Sequence, residues 1–343
     1  MLVKVGIIGC GAIAERLHFP GYVNCPEAEV TCVCDVEESR ARKMADRFGV
    51  RLVYTDWQKL LKEAPIDAVS ICLPNFLHSK VTVAAAQAGK HILVEKPMAT
   101  STKEAEEMVT TARKNRVVLM VEQTLRFLPV VEVAKHFLSQ GIIGKINTIR
   151  ARSGSASPKA FSPTAKWYFE KEKSRGGALL DVGIHGIDLV RHLVPKKIIE
   201  VYATVGTLER KVAPLEDNAI CVYRFEDGTF GSLEASWTNR PRTIHSVTLY
   251  GQKGTMRLES YGDRSLNFYL FNPDRTIIPS IPPESQWGGA CGYFIHCIQN
   301  KETPFISGEE GLRSLEIILN TYRASKEGRP VALSKSLGVK SVL

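Results

Sequence analysis

Asp181 and His185 stand four residues apart in the run Leu179-Leu180-Asp181-Val182-Gly183-Ile184-His185-Gly186-Ile187-Asp188. On a helix that spacing puts both side chains on one face, and Asp188 and His192 continue it. A carboxylate beside an imidazole can fix the ring's tautomer and tune its basicity near neutral pH. Oxidising an alcohol needs such a base, because a hydroxyl proton must leave as hydride departs. The polar face of an amphipathic helix, or an Asp/His metal pair, would use the same residues. Gly177, Gly183 and Gly186 weigh against the plain polar face. Each costs about 1 kcal/mol against alanine inside a helix, and close approach of a backbone or a ligand is a reason to keep them.

Hydride chemistry needs a carrier, and the start of the chain offers a place for one. The apolar run 3–8 leads into Gly9-Cys10-Gly11-Ala12-Ile13-Ala14. This reads as strand, tight turn and helix start, the setting of a dinucleotide-binding G-x-G-x-x-A turn. Gly9 makes the turn, Gly11 admits the pyrophosphate, and Ala12 and Ile13 open a helix whose N-terminus faces the anion. Ala14 lets helix and strand pack closely. The next strand ends at Asp35, placed to accept hydrogen bonds from the adenosine ribose. Asp35 repels a 2′-phosphate and Val36 brings no positive charge, so the expected cofactor is NAD; Arg40 keeps NADP open as a second choice. A fourth strand candidate ends in Glu95-Lys96-Pro97. Ligands of open α/β sheets bind beyond the carboxyl ends of the strands, so Lys96 is placed for the nicotinamide end. Leu73, Pro74, Asn75 and His78 follow the preceding strand as cofactor-wall candidates.

These groups need elements to hold them. Candidate strands at 4–9, 30–35, 68–73, 91–95 and 117–121 alternate with amphipathic stretches at 38–48, 56–63, 79–88 and 103–115. That alternation predicts a doubly wound parallel sheet, an α/β Rossmann domain over residues 1–123. Beyond it the texture changes. A helix at 129–139, a strand at 145–152 and a long helix at 178–194 precede strands at 198–207, 219–225, 229–237, 243–251, 254–259 and 266–271. Helices at 286–299 and 308–325 follow, and 279–284 reads as a surface loop. Strands in series predict an α+β domain over 124–343 with a large, mainly antiparallel open sheet.

Taken together, Gly9-x-Gly11-x-x-Ala14, Glu95-Lys96-Pro97 and Gly177 leading to Asp181-x-x-x-His185 resemble the Gfo/Idh/MocA (glucose–fructose oxidoreductase / inositol dehydrogenase) family over nearly the whole chain. The resemblance implies hydride transfer between NAD(P) and a sugar, cyclitol or related polyhydroxylated molecule. It implies Lys96 and His185 as the catalytic pair, supported by Asp181, and a cis bond before Pro97. It adds Glu95, Gln123 and Arg126 to the cofactor surroundings. It also implies self-association through the open sheet of the second domain. One departure stands out: Arg175 shortens the glycine run before Ala178. Trp167 and Trp237 are candidates for packing a sugar face, with core aromatics as the alternative.

Composition sets the remaining expectations. The 343 residues are 44% hydrophobic and 24% charged, ordinary for a globular enzyme. The formal charge of +9 is spread along the chain with alternating local signs, which does not argue for nucleic acid. No apolar run suffices for a membrane span. The first ten residues make a poor signal peptide, so the expected place is the cytoplasm. The eight cysteines read as reduced thiols, and the spacing of Cys291, His296 and Cys297 matches no common zinc pattern. No metal is expected. Alternating residues at Val201, Ala203, Val205, Val222 and Phe225 suggest an open apolar sheet face and hence a homodimer or homotetramer. Two other readings compete: an NAD-requiring glycosidase of the same fold, and a non-catalytic dinucleotide sensor.

Overall fold

The computed structural model describes residues 2–209, 215–262 and 264–333. The chain forms two compact units. One contains Met1–Phe127, Pro158–Arg175 and Glu284–Leu315; the other contains Leu128–Ser157, Gly176–Pro283 and Glu316–Leu343. The change of texture in the sequence suggests one boundary at 123/124, whereas two later segments return to the first unit. Chain adjacency gives no hint of such a return.

The first unit is built on six parallel strands. They are β1 (Val3–Ile8), β2 (Ala28–Cys34), β3 (Leu52–Tyr54), β4 (Ala68–Ile71), β5 (His91–Glu95) and β6 (Leu119–Glu122), in the order β3-β2-β1-β4-β5-β6. Val5, Ile7, Val69, Ile71, Ile92, Leu93 and Val94 are fully buried. Strands covered on both faces by helices must be apolar throughout, which is why these runs lack alternation. The crossovers include the helices Glu38–Phe48, Trp57–Glu63, Asn75–Gln87 and Thr102–Lys114. Their ends are set by local chemistry. Asp56 and Ser101 accept from the backbone N–H groups of Gln58 and Glu104, and Gly49 closes its helix at φ 69°.

The helix after β1 spans residues 12–23 and carries a π-turn at Ala14–His18 before its regular part, Phe19–Val23. Its Ala14 is fully buried, as close packing on the sheet requires.

The second unit holds nine strands. They are β7 (Ile146–Gly154), β8 (Ile198–Gly206), β9 (Asn218–Phe225), β10 (Phe230–Ser236), β11 (Ile244–Gly251), β12 (Gly254–Glu259), β13 (Leu266–Phe271), β14 (Asp274–Ile277) and β15 (Val331–Ala332). Their order is β14-β13-β12-β11-β7-β10-β9-β8-β15. Among the described residues only β7 and β10 pair in parallel. The mainly antiparallel sheet is as expected, with the short β14 and β15 added.

One sheet face packs against helices Pro129–Ser139 and Ile184–Leu193. Val201, Ala203 and Phe225 point to that covered side and are buried. The other face carries Tyr202, Ile220, Val222 and Phe230, exposed at 44%, 58%, 46% and 54%. The open apolar patch is therefore real, but it is built from the opposite parity to Val201, Ala203 and Phe225. Period-2 alternation places residues on two faces without saying which face the helices take.

Candidate active site

In the first unit the turn after β1 is shaped for a ligand. Gly9 has φ +98°, and a Cβ there would lie 2.3 Å from the carbonyl oxygen of Cys72. Only glycine satisfies both conditions. At Gly11 the space a Cβ would enter is open to 4 Å. Asp35 is 5% exposed at the end of β2. Its Oδ2 accepts from the Cys10 backbone N–H at 2.9 Å, and its Oδ1 accepts from that of Glu37 at 2.9 Å. Gln123 is buried, and its Nε2 has no hydrogen-bond partner among the described residues. A buried amide nitrogen left so is costly, and a ligand oxygen is the kind of group that would satisfy it. These features fit a dinucleotide: an open glycine, a helix start, a ribose acceptor and an orphan donor.

Several residues expected at the cofactor also make contacts within the protein. His78 is fully buried, with its ring nitrogens 2.8 Å and 2.7 Å from the carbonyl oxygens of Pro97 and Leu73. It ties the segment after β4 to the segment after β5 and offers no surface to a cofactor. Asn75 is buried too and donates to the Ser174 carbonyl at 3.2 Å. Leu73 and Pro74 keep partial exposure, as wall residues need. Arg126 is buried, donating to the Phe305 carbonyl at 3.1 Å with Glu310 at 3.7 Å. It binds the returning segment of the unit to the turn that follows β6.

Glu95 also turns inward. Its Oε1 is 2.9 Å from Nε2 of the fully buried His18, whose Nδ1 meets Ser70 Oγ at 2.9 Å; Tyr22 completes the chain at 2.7 Å from Ser70. Burial opposes protonation of His18, but Cys72 and Glu95 outweigh it and hold its pKa well above the usual imidazole value. Burial pushes the neighbouring Glu122 up to about 7. Lys96 stands above this network: its backbone N–H donates to Glu95 Oε2 at 3.2 Å, and the Lys96–Pro97 bond is cis. Trp167 is half-buried and stacks on Tyr168 at 3.8 Å between ring centroids.

In the second unit Asp181 lies on a π-turn, Leu179–Gly183, that runs directly into Ile184–Leu193. Asp181 and His185 are both half-buried. The indole N–H of Trp237 donates to Asp181 Oδ2 at 2.9 Å. Trp237 is completely buried, so its ring has no face for a sugar, and its polar contact is with Asp181. Asp188, expected on the same polar face, is buried at 1% with Arg191 at 4.0 Å.

The start of this helix shows residues the sequence did not disclose. The four leading N–H groups of a helix lack intrahelical partners. Here Gly177 N–H donates to both Glu216 carboxylate oxygens at 2.9 and 3.0 Å, Ala178 N–H to the Glu216 carbonyl at 3.0 Å, Leu179 N–H to Glu216 Oε1 at 3.2 Å, and Leu180 N–H to the Tyr322 hydroxyl at 3.2 Å. Tyr322 in turn donates to Glu216 Oε1 at 2.5 Å. Gly177 is needed because a Cβ would sit 1.8 Å from the Glu216 carbonyl oxygen. The close approach read from the glycines is thus a backbone at Gly177, and side chains at Gly183 (Ala235) and Gly186 (Leu233 and Ser153). Arg175 stands just before the clamp at φ +63°, a conformation that glycine adopts without strain.

Residues 3–123 match the oxidoreductase family with an NAD-binding Rossmann fold, and residues 131–257 match the GFO/IDH/MocA C-terminal domain. The chain belongs to the Gfo/Idh/MocA oxidoreductase family. Curated members include a myo-inositol 2-dehydrogenase of Thermotoga maritima, 26% identical over 98% of this chain and 100% of that one. A levoglucosan dehydrogenase of Pseudarthrobacter phenanthrenivorans is 30% identical over 74% of this chain and 73% of that one. Among solved structures, the WlbA dehydrogenase of Bordetella pertussis in complex with NADH and UDP-GlcNAcA superposes with a TM-score of 0.84 at 26% identity, covering 98% of this chain and 100% of that one. As a Gfo/Idh/MocA member the chain is an NAD(P)-dependent oxidoreductase acting on CH–OH groups.

Proposed function

We propose that this family member transfers hydride between NAD(H) and a secondary alcohol of a sugar, cyclitol or related polyol, with Lys96 and His185 as catalytic residues and Asp181 as their support. The observation that carries this is Lys96 at the carboxyl end of β5, on the same sheet as the Gly9–Gly11 turn and the buried Asp35. When bound, the nicotinamide supplies the hydride acceptor or donor. His185 takes the hydroxyl proton during oxidation and returns it during reduction. The Lys96 ammonium donates to the substrate oxygen and steadies the charge that gathers there. Asp181, held by the Trp237 indole, supports the base four residues further along the same helix. Trp167 lines the substrate, and Gly9, Gly11, Ala12, Ile13, Asp35, Leu73, Pro74 and Gln123 hold the cofactor. Incubation with either cofactor and a panel including myo-inositol and levoglucosan, followed by NADH fluorescence, tests this. Binding of NADH with no turnover across the panel would favour a sensor. Release of chromophore from chromogenic glycosides would favour a glycosidase, a reading that relatives named as dehydrogenases do not support.

NAD is expected to bind at least about tenfold more tightly than NADP. Arg40, a nearby cation that could serve a 2′-phosphate, is engaged by Asp35 at 3.2 Å and Glu37 at 2.7 Å. Asp35→Ser leaves Arg40 held by the exposed Glu37 alone and removes the repelling carboxylate, so the preference should move toward NADP by about tenfold or more. Equal dissociation constants in the unaltered chain, by fluorescence titration, would overturn the assignment.

The reading includes self-association through the open face of the second sheet. Tyr202 lies opposite Val222 in the β8/β9 pairing, while the ion pairs Arg224–Glu200 and Arg152–Glu234 flank the patch. Apolar surface of this kind is suited to a copy of itself across a two-fold axis. Light scattering at micromolar concentration should give a dimer or tetramer, and Val222→Glu should reduce it. A monomer in the unaltered chain would refute the proposal. A cytoplasmic setting is part of the same reading; no helix among the described residues is long and apolar enough to cross a membrane.

A further inference from the structure

His245 lies on β11 directly opposite Ser153 on β7. It is 7% exposed, and its Nδ1 meets the Ser153 hydroxyl at 3.0 Å. Its peptide is fixed as well: the His245 carbonyl accepts from the Ser260 N–H at 2.8 Å and from the Ser260 hydroxyl at 2.9 Å. On one side its ring meets His185 edge-on, with centroids 5.4 Å apart and planes at 74°. On another side Tyr261 contacts it at 6.2 Å and 73°. The residue after His185 contributes by having no side chain. A Cβ on Gly186 would lie 2.6 Å from Ser153 Oγ. The helix thus settles onto the strand at the hydroxyl that holds His245.

We infer that His245 and Ser153 are positioning residues for His185, forming a hydrogen-bonded wall that selects the ring orientation of the base. An imidazole can rotate about two side-chain bonds, and a base misdirected by a small distance loses much of its effect. A leucine or phenylalanine at 245 would fill the same space without needing a buried partner. A buried imidazole, by contrast, must be satisfied, and here it is satisfied by a hydroxyl on the neighbouring strand. Edge-to-face contact between rings at this separation is directional, so orienting one ring orients the other.

This inference rests on the reading of His185 as the base, and the test separates the two. His245→Asn keeps a nitrogen near the Nδ1 position for Ser153 and removes the ring. His245→Phe keeps a ring and removes the hydrogen bond. Ser153→Ala removes the hydroxyl alone. All three should lower kcat by about tenfold on the panel substrate turned over fastest, with the NADH dissociation constant and the KM for substrate within about twofold of the unaltered chain. On the full chain with NADH bound, diethyl pyrocarbonate should modify His185 about threefold faster in the variants, as mapped by mass spectrometry. This second readout needs no substrate. Unchanged kcat and unchanged His185 reactivity would overturn the inference. So would losses of kcat matched by equal losses of cofactor affinity and melting temperature, which describe a packing defect. If His185→Ala itself keeps near-normal kcat, the base assignment fails instead.

Discussion

His185→Ala should lower kcat by about 10²–10⁴-fold while leaving NADH binding intact. The side chain belongs to the second unit, whereas the glycine turn, Asp35 and Gln123 belong to the first. Loss of the imidazole therefore removes the proton acceptor and leaves the cofactor's anchors as they were. Lys96→Ala should give a comparable loss, because the developing charge on the substrate oxygen loses its only assigned cationic partner. Asp181→Asn should fall less far: the carboxamide oxygen can still accept from Trp237, so geometry survives and only charge is lost. Steady-state kinetics beside NADH titration decides the matter. Near-normal kcat in His185→Ala or Lys96→Ala at neutral pH would remove that residue from its role.

Gly177→Ala should destabilise the chain by about 3 kcal/mol or more. Its Cβ would fall 1.8 Å from the Glu216 carbonyl oxygen and 2.8 Å from the carboxyl group. Both contacts belong to the group that satisfies the helix start, so the methyl cannot enter without parting the clamp. Burial raises the pKa of Glu216, and the hydrogen bonds from Tyr322, Leu179 and Gly177 work against that shift. Their loss would leave a buried carboxylate poorly compensated. Tyr322→Phe, which removes one hydroxyl, should be milder, at about 1–2 kcal/mol. The check is the urea midpoint of each variant. A Gly177→Ala midpoint equal to that of the unaltered chain would show that the helix start yields without loss.

The parts of this molecule legible from sequence are those where one residue type has one physical reason to be present. Gly9 needs a positive φ and no Cβ, and it stands at the turn it announced. The apolar runs of β1, β4 and β5 announced a sheet buried on both faces. Leu52–Tyr54 and Val331–Ala332 escaped because two or three residues carry no period to detect. Trp237 escaped in a different way: an indole suits a sugar face and a core equally, and only its zero exposure separates them. Glu216, Tyr322 and His245 were unreadable because their partners lie far along the chain; the hydroxyl of Tyr322 meets a carboxylate 106 positions away. Glu95 was placed at the correct strand end, but which way it faces depended on His18, 77 residues earlier.

Each unit has a helix that carries a π-turn near its start, Ala14–His18 after the glycine turn and Leu179–Gly183 around Asp181. Such a turn is an α-helix carrying one surplus residue. Deleting a single residue from Leu179–Gly183 would let the helix close into regular geometry, with better hydrogen bonds. It would also swing the segment before the deletion by about 100° relative to the segment after it. Asp181 and His185 would then no longer keep their present relation, although the helix itself had improved. In this family member one residue of length thus sets both the relation of Asp181 to His185 and the seat of the helix start on Glu216. A deletion library across residues 179–183 should lose turnover, and the rotated segment should also part Gly177 and Ala178 from Glu216 and lower the melting temperature.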